Sequence, residues 1–191
     1  MEVIEDLLRA FKSLLDDEGK INVLWYNSLE SGIAVNSFNP PVGKEDLAEL
    51  VDKHPDVPSS YIDFLKIHNG ASLFESYSSE LKMNIGGGCY LYSAQEIINI
   101  NAEHPIPDYL ILGSLLDGQM LLINKEDNTN SPNERPLVLW GEVGDLTHLH
   151  VDFTMFLHRY LTAQGASFWE WPNESISRYK ANLKHRKKNW F

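Results

Sequence analysis

A chain of 191 residues, 43% of them hydrophobic and with a mean hydropathy of −0.29, has the composition of a globular domain rather than of a disordered or membrane-spanning chain. Its 16 Lys and Arg stand against 27 Asp and Glu, a formal net charge of −11, yet six of the basic residues and none of the acids lie in residues 178–191, which leaves residues 1–177 at −17. An acidic body repels nucleic acid and favours basic partners, although acidity also serves plain solubility, and the single cysteine, Cys89, excludes an intrachain disulfide framework or a cysteine-rich zinc site.

No apolar run reaches the length of a membrane span, and the first residues are acidic where a secretory leader would be basic, so a cytoplasmic protein is expected. Residues 2–15 place Val3 or Ile4, Leu7, Leu8, Phe11, Leu14 and Leu15 at helical spacing. Residues 21–26 and 33–38 are rich in β-branched and aromatic side chains and read as a hairpin, closed by Pro40 and Pro41. A short helix over 44–54 follows. The next helix has Pro58 at its start, Tyr61, Phe64, Leu65 and His68 on one face, and Asn69-Gly70 as its stop, because both residues tolerate the left-handed conformation of a C-terminal cap.

Residues 76–88 read as a loop ending in three glycines, before a strand at 89–92. Ser93 and Glu96 form a capping-box pattern for a helix reaching about Asn101. Two strands, 109–112 and 119–123, are joined through the turn pair Asp117-Gly118, and a long polar loop over 124–136 leads to strands at 137–140 and 146–151. Asp152 caps a last helix carrying Phe153, Phe156, Leu157, Tyr160 and Leu161, which Gly165 ends. The order predicts an α+β fold: a single, largely antiparallel sheet of about six strands packed against N-terminal, central and C-terminal helices.

Pro58, Tyr61, Phe64, Leu65, Asn69 and Gly70, in that register, resemble the signature of the SUKH superfamily, also called the Smi/Knr family. Further points agree with it: the strand leading into a Ser-capped helix over 90–96, the turn at Asp117 and Gly118, the strand over 136–140 and the Phe-x-x-Phe-Leu pattern of 153–157. The resemblance spans residues 44–161. It departs in having Val57 before the proline, a glycine-poor turn at Asp117 and an unmatched basic tail. It implies a SUKH-like domain over 1–165, with the N-terminal helix and hairpin in 1–40, and an aromatic and basic extension over 166–191.

No catalytic, cofactor or metal set emerges. Gly86-Gly87-Gly88 lacks the Lys-Ser/Thr and the helix of a phosphate cradle. His148 and His150 share one strand face but have no companion ligand spacing, Cys89 has no neighbouring base, and the acids form no dyad. The resemblance instead implies a non-enzymatic binding protein. Many bacterial members look like immunity proteins that neutralise a cognate toxin, often a nuclease, and an acidic body suits a basic toxin. The alternative is a regulatory scaffold like the fungal cell-wall regulators of the superfamily. Candidate partner contacts are acids near loops, Glu75, Glu80, Glu126, Asp127, Glu134, Glu142 and Asp145, with Trp140 as an aromatic anchor. In the tail, Ile176, Tyr179, Leu183 and Trp190 fall on one helical stripe amid Arg178, Lys180, Lys184, Lys187 and Lys188, with three possible destinations: the acidic body, an anionic membrane surface or nucleic acid. The body's opposite charge puts self-docking first.

Overall fold

Acids open the first helix and bases close it: Glu2 and Glu5 stand in the first turn of α1 (Glu2–Lys12), Arg9 and Lys12 in its last, each offsetting the partial charge of its helix end. The structure is a computed structural model that describes residues 2–25, 30–125, 135–141 and 144–173. Ile4, Leu8 and Phe11 carry the buried face of α1. The hairpin follows as β1 (Lys20–Trp25) and β2 (Glu30–Phe38), antiparallel with Lys20 opposite Val35. Then come α2 (Lys44–Lys53) and α3 (Ser59–Ile67).

Pro58 is the N-cap of α3 rather than its first helical residue, and its carbonyl accepts from the amides of Tyr61 and Ile62. Tyr61, Phe64 and Leu65 are fully buried. The Tyr61 ring lies 4.6 Å from that of Phe153 and 5.7 Å from that of Phe64, so the signature aromatics are the centre of the core. The stop is divided differently from the sequence expectation. Gly70 alone is left-handed, at φ +94°, where a Cβ would crowd the Leu91 carbonyl. Asn69 is a tie: its amide donates to the Pro40 carbonyl at 2.9 Å, its carbonyl accepts from Asn39 Nδ2 at 2.8 Å and its side-chain oxygen accepts from the Ala94 amide at 2.9 Å.

The remaining elements are β3 (Ala71–Ser78), β4 (Met83–Gly86), β5 (Cys89–Leu91), α4 (Ala94–Glu103), β6 (Tyr109–Leu115), a 3₁₀ turn (Leu116–Gly118), β7 (Met120–Asn124), β8 (Leu137–Trp140), β9 (Leu146–His148), α5 (Phe153–Thr162) and a 3₁₀ turn (Phe168–Asn173). Nine strands make one sheet in the order β1-β2-β3-β5-β6-β7-β8-β9, with β4 paired to β3 beyond β5, and every pairing is antiparallel. The fold is thus α+β as expected, with more strands than the six anticipated. β3 and β4 are additions to the strand ranges read from the sequence, since the end of β3 and all of β4 fall in residues 76–88, which read as a loop. β3 lies between β2 on one edge and β5 and β4 on the other, and is bulged: Phe74 adopts φ +58°, and the buried Asn36 of β2 accepts from the Phe74 amide at 2.9 Å.

Helices α1, α3 and α5 cover one face of the sheet, where one continuous core runs from Ile4 to Phe168. The caps work as the sequence implies. Ser93 and Glu96 make the reciprocal capping box of α4, and Asp152 accepts from the Met155 amide at the start of α5. α4 begins where β5 leaves β6, and the Asn101 side chain replaces the missing strand there. It accepts from the Ile111 amide at 2.9 Å and donates to the Ile111 carbonyl at 3.0 Å. Arg135, before β8, pairs with Asp56 at 3.0 Å and fixes the connection between α2 and α3 against that strand.

Candidate partner-binding face of the sheet

Register converts scattered positions into a row. Ser37, Ser72, Tyr90, Ser114, Met120, Trp140 and Leu146 are successive cross-strand partners from β2 to β9 and share the sheet face that points away from α1, α3 and α5. Six strand spacings make that row ~29 Å long. Beside it, Ile111, Leu122 and Val138 form a small second core, sealed by Ile100, Ile106, Tyr109 and Tyr92 and flanked by Met120 and Trp140. At the other end Lys20, Val35, Glu75 and Tyr77 lie on the same face, with the Lys20 ammonium 4.2 Å from the Tyr77 ring centre.

The face is aromatic with acids at its margins. Tyr90, 40% exposed, packs edge-on against Tyr92 at 5.6 Å and donates its hydroxyl to Glu96 at 3.0 Å. Partial burial, then that bond to a carboxylate, then the charges of Glu96, Tyr92 and Glu75 raise the Tyr90 phenol above its ordinary range, so it is held as a hydroxyl donor. Glu75 is half-buried and accepts from Asn84 Nδ2 at 3.2 Å. Asp145 is exposed and closes the tight turn after Trp140, its carbonyl accepting from the Gly141 amide at 3.0 Å.

Of the residues nominated from sequence, Glu75, Trp140 and Asp145 therefore frame one face, although Glu75 and Trp140 stand four strand spacings apart, ~19 Å. Glu80 is exposed in the turn between β3 and β4, away from that row. Glu126, Asp127, Glu134 and Glu142 lie outside the described residues, as does the tail from residue 174 onwards. Tyr90, Tyr92, Met120, Leu146 and Glu96 were not nominated. The alternation of Tyr90 and Tyr92 was their one local signal, and Glu96 read as a capping residue, which it also is.

The other sequence candidates have local explanations. Cys89 is 1% exposed, and burial pushes its thiol far above the nucleophilic range. Gly86, Gly87 and Gly88 all have positive φ, and a Cβ on Gly88 would overlap the Leu73 carbonyl oxygen, so the triplet brings β5 against β3. His148 and His150 stack at 6.1 Å, both exposed, but His150 adopts φ +53° as the chain leaves the sheet. Among the described residues no three His, Cys, Asp or Glu converge on a metal position, and no helix is long and apolar enough to cross a membrane.

Comparison with known proteins agrees with this architecture. The chain is similar to the uncharacterized protein YobM of Bacillus subtilis (strain 168), 29% identical over 180 residues that span 92% of this chain and 96% of that one. It is also similar to the uncharacterized protein YnaB of the same organism, 22% identical over 148 residues, 74% of this chain and 91% of the relative. The sequence model of the SMI1 / KNR4 family (SUKH-1) matches residues 41–159, from the approach to α2 into α5. That match covers more than half of the sequence, and the chain belongs to the SMI1 / KNR4 family (SUKH-1).

Proposed function

We propose that this chain is a non-enzymatic immunity protein that acts in the cytoplasm by binding a basic protein toxin, of the nuclease kind, and occluding it with the open face of the sheet. The observation that carries the reading is that face itself. Tyr90, Met120, Trp140 and Leu146 lie along a row the three-helix layer does not cover, with Tyr77 and Tyr92 on the same face and Glu75, Glu96 and Asp145 around them. Aromatic side chains supply contact area at little conformational cost and the flexible Met120 adapts to the partner's shape, while marginal acids steer a basic partner and fix its orientation. A row of ~29 Å suits one side of a standard interface of ~800 Å² per partner. Family membership supports a protein-binding role.

The test uses the polypeptide encoded beside this chain. Its C-terminal domain, expressed in a heterologous bacterium, should arrest growth, and co-expression of this chain should relieve the arrest. Purified, the two should bind with an affinity that falls as salt rises, and the double substitution Tyr90→Lys and Asp145→Lys should weaken binding at least about 100-fold, the equivalent of two modest hot spots. Tight binding indifferent both to those substitutions and to salt would refute the face.

A further inference from the structure

After α5 the chain turns back over its own helix, where Phe168 and Trp169 pack on Phe156, and a cavity of about 190 Å³ is left between this turn, α5 and the sheet. Ser76 of β3 lines it. Ser76 pairs with Ala34, which is buried in the core, so the cavity opens on the helix-covered side of the sheet. It lies across the sheet from the partner face, and its occupant is independent of the partner proposed there. Gly87 and Gly88, between β4 and β5, form another wall, and a Cβ on Gly87 would stand 3.3 Å from Leu116 and 3.8 Å from Ser76 Oγ.

Tyr160 makes this more than a packing gap. It is 2% exposed and lines the cavity, yet its hydroxyl has no hydrogen-bond partner among the described residues, where a buried phenol ordinarily finds one. Among the described residues Ser60 Oγ is the one side-chain polar atom both fully enclosed and unpartnered, so the Tyr160 oxygen reaches open volume, and the volume it lines is this cavity. Its ring is fully employed: Phe156 and Trp169 lie within 10° and 13° of its plane, and Phe74 meets it at 79°. Burial pushes the phenol well above its ordinary range, so it stays a hydroxyl that can accept as well as donate.

Four more polar side chains converge on the same volume. Ser76, Gln119, Ser167 and Glu170 line it, and among the described residues no hydrogen bond or ion pair engages their side chains. Glu170 is the one charged group in the walls, which hold no Lys, Arg or His. An anion would meet that carboxylate and a body of −17 over residues 1–177, whereas a cation is drawn by both and by the ring of Trp169. A guanidinium uses more of the site than an ammonium does: its planar fork of donors serves several acceptors at once, and its plane lies along an aromatic ring. We propose that this cavity binds an alkylguanidinium group, held by Glu170 and the Tyr160 hydroxyl beside Trp169, and carried by a small molecule or by an arginine side chain of a protein.

The experiment is titration of the isotope-labelled full chain, followed by its amide resonances, with ethylguanidinium chloride for the free ligand and N-acetyl-L-argininamide for an arginine within a protein. At least one should move the Gly87, Gly88 and Ser167 amides saturably with a dissociation constant below about 1 mM, and the tighter of the two identifies the source. N-acetyl-L-lysinamide should bind at least about fivefold more weakly than the arginine compound. Tyr160→Phe should weaken binding about tenfold, the loss of one hydrogen bond to a charged group. It should leave the thermal midpoint of the free chain unchanged, since the hydroxyl has no partner within the chain to lose. Glu170→Gln should weaken binding about threefold, because that carboxylate is exposed. No saturable shift with either guanidinium compound would overturn the proposal, as would lysine binding equal to arginine or an affinity indifferent to both substitutions. A lowered midpoint in Tyr160→Phe would also overturn it, by assigning the hydroxyl to the packing.

Discussion

Asn101 offers the most demanding test of how this sheet is closed. It is 8% exposed, and its amide contacts both backbone groups of Ile111 as well as the Ile97 carbonyl, at 2.8 to 3.0 Å. Asn101→Ala leaves the Ile97 carbonyl to its own helical partner but strips Ile111 of a donor and an acceptor where β5 is no longer alongside. Each buried backbone group without a partner costs about 1–3 kcal/mol, so the loss should be about 2–5 kcal/mol. Urea unfolding of the variant should show the midpoint falling with an unchanged slope, since the unfolded chain is not altered in compactness. Asn101→Asp should be nearly as costly, because a carboxylate still accepts from the Ile111 amide but faces the Ile111 carbonyl with no donor. A loss below about 1 kcal/mol in the alanine variant would refute the view that this side chain stands in for a strand.

Phe64→Ala, at a fully buried position between the rings of Tyr61 and Phe153, should cost about 3–5 kcal/mol by the same assay, and a cost under 2 would mean that the signature aromatics are not the core's centre. Gly88→Ala should lose at least about 2 kcal/mol, because a left-handed alanine there also meets the Leu73 carbonyl, and an unchanged thermal midpoint would disprove that approach. His68 is held below its ordinary pKa by burial and by Lys12 beside its Nε2, against the bond of Nδ1 to the Asn39 carbonyl at 2.8 Å. The unfolded chain therefore takes up a proton more readily: stability is complete above about pH 6.5 and falls as pH drops through the folded pKa. His68→Asn should flatten that fall between pH 7.5 and 5.5, and an equally steep fall would assign it to other groups such as His54, whose pKa burial also lowers.

The helices were legible because their signals are local. Ser93 and Glu96 lie three residues apart, Asp152 reaches the amide of Met155, and each motif is satisfied within one turn. β3 was not legible, since its first four residues are all buried and Phe74 breaks the period with a left-handed backbone, so no alternation marks it. Asn36 and Asn101 read as ordinary polar residues. Their partners, Phe74 and Ile111, are supplied by other elements, and nothing in the flanking sequence announces them. The candidate site was legible only at Trp140, Glu75 and Asp145. Each of seven strands contributes one residue to the row, and which residue it contributes depends on registers that include bulges in β3 and β6.

The arrangement of charge on the open face also bears on how a partner would feel it. A small second core seals the region around Leu122, so the face is not simply a missing helix layer. Ser114, half-buried between Tyr90 and Met120, interrupts the aromatic row. Glu75 and Asp145 are separated by more than four strand spacings, ~19 Å, while the screening length at physiological salt is ~8 Å. They cannot act as one field at that ionic strength. Each must work through its own contact, so substitutions at Glu75 and Asp145 should weaken binding additively, and a strong coupling between them would mean that the partner, rather than this sheet, brings the two ends together.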